Sequence, residues 1–230
     1  MPVDKVSMAF PLSTPPSLVI FDCDGVLVDT EALANQLLVK VLAEDGFVIS
    51  YEECRRLFVG KTLEAVMVHV EASIGRRLDP QWPDYIRDET LKAFSTGINA
   101  VPHVREVLIA LEGQRIPFCV ASSGKFDKMR FTLGNSGLLH FVERALYSAE
   151  QVGRGKPWPD LFLFAAKSMG YAPADCVVIE DSVPGVEAAV AAGMPVLGYA
   201  GDPHTEANVL KEKGAHVFHD MNALLKLLGL

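Results

Sequence analysis

Short runs of apolar, largely β-branched residues recur along the chain, at "SLVIF" (17–21), "PFCVAS" (117–122), "CVVIED" (176–181), "PVLGYA" (195–200) and "HVFHD" (216–220). Their length and composition predict buried strands. The stretches between the later runs have helical spacing, at "VREVLIALEG", "FDKMRFTLGNSG", "DLFLFAAKSMG" and "GVEAAVAAG", closing on glycines suited to a helix end. Strands alternating with helices of this length predict an α/β fold, a parallel sheet flanked by helices.

The spacing breaks once. About 95 residues separate the first two runs, far more than one crossover helix needs, so the pattern predicts an insert. Leu33, Leu37 and Val41, with Leu38 and Leu42 beside them, form an apolar face ending at Gly46; "SYEECRRLFVG" and "TLEAVMVHVEASIG" follow, then a helix near 82–95. The expected organisation is a helical cap over residues 33–95 within a core of 17–32 and 96–230. The proline-containing residues 1–16 are expected to form a flexible extension.

Composition narrows the function. With 29 acidic against 21 basic residues, a formal charge of −8 and no dense Lys/Arg block, nucleic-acid binding has little electrostatic support. An anionic ligand would have to be held by local positive groups. Cys23, Cys54, Cys119 and Cys176 lack metal-ligand spacing and read as reduced core thiols of a cytoplasmic protein. No stretch has the form of a signal peptide or a membrane span, so neither secretion nor membrane insertion is expected. A monomer is the simplest expectation.

Ligands of an open parallel sheet bind beyond the carboxyl ends of its strands. There the first strand delivers Asp22 and Asp24, the second Ser122 and Ser123, and the third apolar run Glu180 and Asp181; "GRGKPWPD" places Lys156 in a loop before a helix. This set suits phosphoryl transfer through an aspartyl phosphate. Asp22 is the candidate nucleophile, its charge offset by a divalent ion. Asp24, two residues on, can protonate the leaving oxygen and later activate water. Asp22, Asp181 and a backbone carbonyl near Asp24 offer the hard oxygen ligands that Mg²⁺ prefers, and Glu180 could hold a metal-bound water. Lys156 would screen Asp22 from the incoming phosphate. The Ser122 hydroxyl and the backbone N–H groups after it would bind phosphate oxygens.

Each piece has a plainer alternative. Asp22 and Asp24 could shape a turn, Glu180 and Asp181 could cap the following helix, Ser122 and Ser123 could be loop hydroxyls, and Lys156 could be a solvated charge. Their joint order at strand ends favours chemistry. Asp29, Thr30 and Glu31 read as the start of a helix, with structural roles, and no histidine, His69 included, falls in a metal or catalytic pattern.

The ordered set "DCDGVLVD" (22–29), Ser122 in "VASSG", Lys156 in "GKPWPD" and "IEDS" (179–182) resembles the haloacid dehalogenase superfamily, specifically its phosphatases with a helical cap inserted after the first strand. The resemblance covers the chain from about Leu18 onward. It implies a Rossmann-like core, Mg²⁺ dependence, Asp22 as nucleophile, Asp24 as acid and base, and Asp181 as metal ligand. It also implies that the cap loop "VGKT" closes over the substrate, which makes Gly60, Lys61 and Thr62 candidates for substrate selection; as a plain turn, the same residues would give Thr62 as a helix cap.

Dehalogenases of the superfamily usually lack an acid at the position of Asp24, so its presence favours phosphate esters. The β-phosphoglucomutases share all four motifs but resemble a pattern with His twelve residues after the nucleophile and Arg in the cap turn, where this chain has Ala34 and Leu63. The expected activity is therefore Mg²⁺-dependent hydrolysis of a small phosphorylated metabolite, a sugar or sugar-acid phosphate. A sugar-phosphate mutase and a non-catalytic phosphate-binding module are the alternatives.

Overall fold

A computed structural model describes residues 10–58 and 61–230. In chain order its regular elements are β1 (Leu18–Phe21), α1 (Thr30–Glu44), α2 (Tyr51–Phe58), α3 (Leu63–Ile74), α4 (Trp82–Thr96), α5 (Val104–Gly113), β2 (Phe118–Ser122), α6 (Phe126–Asn135), α7 (Leu139–Val142) and β3 (Leu146–Ser148). There follow α8 (Asp160–Met169), β4 (Cys176–Glu180), α9 (Val183–Ala191), β5 (Val196–Tyr199), α10 (Ala207–Glu212), β6 (His216–Phe218) and α11 (Leu224–Leu227), with short 3₁₀ turns between some of them. Two compact units result, one of residues 1–28 and 100–230, the other of residues 29–99.

The first unit is built on a six-stranded, wholly parallel sheet in the order β3-β2-β1-β4-β5-β6. Every residue of β1, β2 and β4 is buried. That is why these strands read as continuous apolar runs: helices cover both faces of a parallel sheet and leave no solvent side to be polar. One core cluster joins Leu18, Ile20, Cys119 and Val178 from the strands to Leu161, Phe162, Ala165 and Val186 from α8 and α9.

Strand β3 is absent from the sequence-based expectation. At three residues it is too short to show a period, and tertiary pairing defines it, with Val120 beside Leu146 and Ser122 beside Ser148. Chain order reverses between β1 and β4, so the carboxyl ends of these neighbours flank the switch point where such sheets bind ligands.

The second unit packs α1 to α4 around Leu38, Val41, Leu42, Cys54, Phe58, Val66, Val70, Trp82 and Ile86. Asp29 caps α1, its Oδ1 accepting from the Ala32 N–H at 3.0 Å, the structural role its sequence position suggests. The chain enters and leaves this unit side by side, Asp29 N–H donating to the Asn99 carbonyl at 3.0 Å.

Of the extension expected to be flexible, residues 1–9 lie outside the described residues. Leu12, by contrast, is buried, and its N–H donates to the carbonyl of Leu227 at 2.9 Å, so this part of the segment is fastened to the C-terminal helix. Among the described residues no helix is long and apolar enough to cross a membrane.

Candidate active site

β1 hands over to the site without a break in pairing. The Asp22 N–H donates to the Ile179 carbonyl at 2.9 Å, which fixes the backbone one residue past the strand and buries the side chain. The chain then turns at once: the N–H groups of Leu27 and Val28 both donate to the Cys23 carbonyl, and the Gly25 N–H to that of Val28. Gly25 has φ of +79°, and a Cβ there would lie against the Asp181 side chain, 2.7 Å from its Cγ and closer still to Oδ2. Glycine is thus required twice, by the turn and by the acid from β4 that lies over it.

Lys156 joins the first and fourth strands. Its Nζ donates to Asp22 Oδ1 at 2.5 Å and to Glu180 Oε1 at 2.6 Å, and the side chain is only 4% exposed. The loop lysine is therefore a buried cation between two carboxylates, not a solvated charge. Glu180 is fully buried, and its second oxygen accepts from both the N–H and the hydroxyl of Ser182, at 2.7 and 2.9 Å. The Ser182 hydroxyl in turn accepts from the Gly185 N–H and caps α9.

Both of its oxygens accept from protein donors, so Glu180 holds Lys156 and the start of α9 in position. A buried lysine needs such partners to remain charged.

Burial pushes Asp22 up, to about 7, against the pull of the Lys156 ammonium, and the neighbouring charges of Glu180 and Asp24 add to the push. Burial alone would lower Lys156, but Asp22 and Glu180 outweigh it and raise it above the usual lysine value. Among the described residues, Lys156 pairs with Asp22 and Glu180, and Lys128 pairs with Asp24.

Among the described residues no group of three or more His, Cys, Asp or Glu side chains is placed to hold a metal ion by itself. Asp181 nevertheless brings a hard carboxylate oxygen against Gly25, in the turn that follows Asp22. Mg²⁺ commonly takes one or two carboxylates and completes its shell with water and phosphate oxygens, so the donor set fits that ion.

At the end of β2, Ser122 is 2% exposed and its Oγ accepts from the Gly124 N–H at 3.0 Å. The buried Ser148, at the end of β3, donates to the Gly124 carbonyl at 2.7 Å and so fixes the loop from the neighbouring strand. Ser123 is exposed at the mouth of this turn. Lys61 and Thr62 belong to the other unit and are exposed; Thr62 Oγ1 accepts from the Ala65 N–H and caps α3, while Gly60 lies outside the described residues.

One residue of the site was missed. Lys128, on α6, donates from Nζ to Asp24 Oδ2 at 2.8 Å. A signal for it existed: a cation in the first turn of a helix opposes the helix dipole, and such a local conflict marks function.

Residues 19–199 match the family model described as haloacid dehalogenase-like hydrolase. The chain is 32% identical over 189 residues to 6-phosphogluconate phosphatase of Escherichia coli, covering 82% of this chain and 84% of that protein. It is also 32% identical to hexitol phosphatase A of the same organism, covering 77% and 80%. Among solved structures, a haloacid dehalogenase family hydrolase from Deinococcus radiodurans with bound phosphate and sodium superposes with a TM-score of 0.84 at 33% identity, over 94% of this chain and 97% of that one. A match over most of the chain, on a core whose strand ends carry the four expected motifs, means that this protein belongs to the haloacid dehalogenase-like hydrolases.

Proposed function

We propose that the protein is a Mg²⁺-dependent phosphatase that hydrolyses a small phosphorylated metabolite, a sugar or sugar-acid phosphate, through an aspartyl phosphate on Asp22. The observation that carries this reading is the buried Lys156 ammonium bonded to both Asp22 and Glu180. It brings fixed positive charge to the oxygen of the nucleophile, where a phosphate dianion would otherwise be repelled. The names of the relatives, a 6-phosphogluconate phosphatase and a hexitol phosphatase, support the substrate class.

In this mechanism Asp22 attacks phosphorus while Ser122 and the N–H groups of its loop bind phosphate oxygens. Asp24 gives a proton to the departing alcohol and then takes one from the water that hydrolyses the acyl phosphate. Mg²⁺, held by Asp22, Asp181 and a carbonyl near Asp24, would offset the charge of the nucleophile and polarise the phosphate. Lys61 and Thr62, with Gly60, are the proposed contributors to substrate selection.

The test is phosphate release from a panel of sugar phosphates, sugar-acid phosphates and nucleotides, with Mg²⁺ or a chelator, for the wild type and Asp22→Asn. Release that needs both the metal and Asp22 supports the proposal. No release from any ester overturns it, and interconversion of hexose 1- and 6-phosphates without release would replace it by a mutase.

A further inference from the structure

We propose that Lys128 is a positioning residue for the proton-transfer step, aiming the Asp24 carboxyl at the leaving oxygen. This rests on the phosphatase reading given above. Lys128 and Asp24 lie 104 residues apart in sequence, yet Nζ and Oδ2 are 2.8 Å apart. The lysine is 42% exposed and the aspartate 29%, so neither is held by enclosure. An aspartate at the edge of a tight turn can rotate about its side-chain torsions, and a charge-assisted hydrogen bond to one oxygen limits that rotation.

The lysine is delivered from a fixed platform. The first turn of α6 is fastened to the segment after β3: the Phe126 N–H donates to Glu150 Oε2 at 3.1 Å, and Ser148 holds the Gly124 carbonyl two residues earlier. One residue past Lys128, Met129 is buried in the core, which sets the rotation of the helix about its axis. The same loop carries Ser122, whose Oγ accepts from the Gly124 N–H, so the Ser122 turn leads directly into the helix that delivers Lys128. A cation in the first turn works against the helix dipole, and the Asp24 carboxylate offsets that cost.

As the bond from Asp22 to phosphorus forms, the P–O ester bond breaks, its electron pair passes to the leaving oxygen, and the proton of the Asp24 carboxyl completes the alcohol. Water then bonds to phosphorus and returns a proton to Asp24, while the electron pair of the acyl phosphate bond returns to Asp22 and phosphate departs. An alkyl ester needs that proton. An aryl ester such as p-nitrophenyl phosphate leaves without it.

The experiment compares kcat/KM, which reports only the steps through phosphoryl transfer to Asp22, for p-nitrophenyl phosphate and for glucitol 6-phosphate, an alkyl ester without a carboxylate. Lys128→Met is expected to lose about 100-fold on the alkyl ester, the lower end of what general acid catalysis contributes, and to stay close to wild type on the aryl ester. Lys128→Arg, which keeps the donor, should recover most of the alkyl activity. Equal loss on both esters, or loss on neither, overturns the inference while leaving the phosphatase reading intact. A wild type that releases phosphate from neither ester nor from any member of the sugar-phosphate, sugar-acid-phosphate and nucleotide panel defeats the phosphatase reading itself.

Discussion

Replacing Gly25 by alanine tests how β1 and β4 assemble the site. The backbone at Gly25 has φ of +79°, which costs a residue with a Cβ about 1–2 kcal/mol. The new Cβ would also meet the Asp181 carboxyl, whose Cγ stands 2.7 Å from the ideal position, so the acid must move by an ångström or more. Gly193 provides the control: its φ is +73° and a Cβ there meets nothing within 4 Å, so Gly193→Ala carries the backbone cost alone.

At roughly 2–4 °C per kcal/mol for a chain of this size, Gly193→Ala should lower Tm by about 2–8 °C and leave phosphate release unchanged. Gly25→Ala should lower Tm at least as much and reduce kcat/KM by about 100-fold, the usual consequence of misplacing a reacting group by an ångström. Thermal unfolding and phosphate release with Mg²⁺ measure both. A Gly25→Ala protein with the Tm and activity of Gly193→Ala would refute the placement of Asp181 against this turn.

Other expected outcomes follow from the buried charges and the fastened segment. Asp22 ionises near 3.8 in the unfolded chain and at about 7 in the folded one, so the folded state binds more protons between these values. The metal-free protein should therefore lose stability as pH rises from about 4 through 7, by about 4 kcal/mol at most, and Asp22→Asn should flatten this slope in urea titrations. Mg²⁺ at about 100 times its Kd should add about 2.7 kcal/mol to the wild type at pH 8 and much less to Asp22→Asn; equal stabilisation of the two would place the metal elsewhere. Lys156→Met, which leaves Asp22 and Glu180 buried without their cation, should cost about 3–5 kcal/mol at pH 8, and an unchanged Tm would contradict the buried ion pairs. Leu12→Ala should cost about 2–5 kcal/mol if the fastened segment belongs to the core, and a neutral result would show that it does not.

The sequence by itself determined the α/β class, because strands buried on both faces are written as unbroken apolar runs, and "SLVIF" and "CVVIED" leave little else for those residues to be. It also brought out Asp22, Asp24, Ser122, Lys156 and Asp181, since a parallel sheet exposes ligand-binding groups at its carboxyl ends and the chain places polar residues where each run stops. Tertiary structure alone decided what those groups touch. Strand β3 is defined by its pairing with β2, and the Leu12 N–H is held by a carbonyl more than 200 residues away. Glu180 met the lysine only when the Lys156 loop was set down beside β4, and Lys128 reached Asp24 only when α6 was set down beside β1. The physical reason is common to all four: local pattern encodes burial and backbone preference, whereas a hydrogen bond between residues distant in sequence depends on where two separately formed elements come to rest.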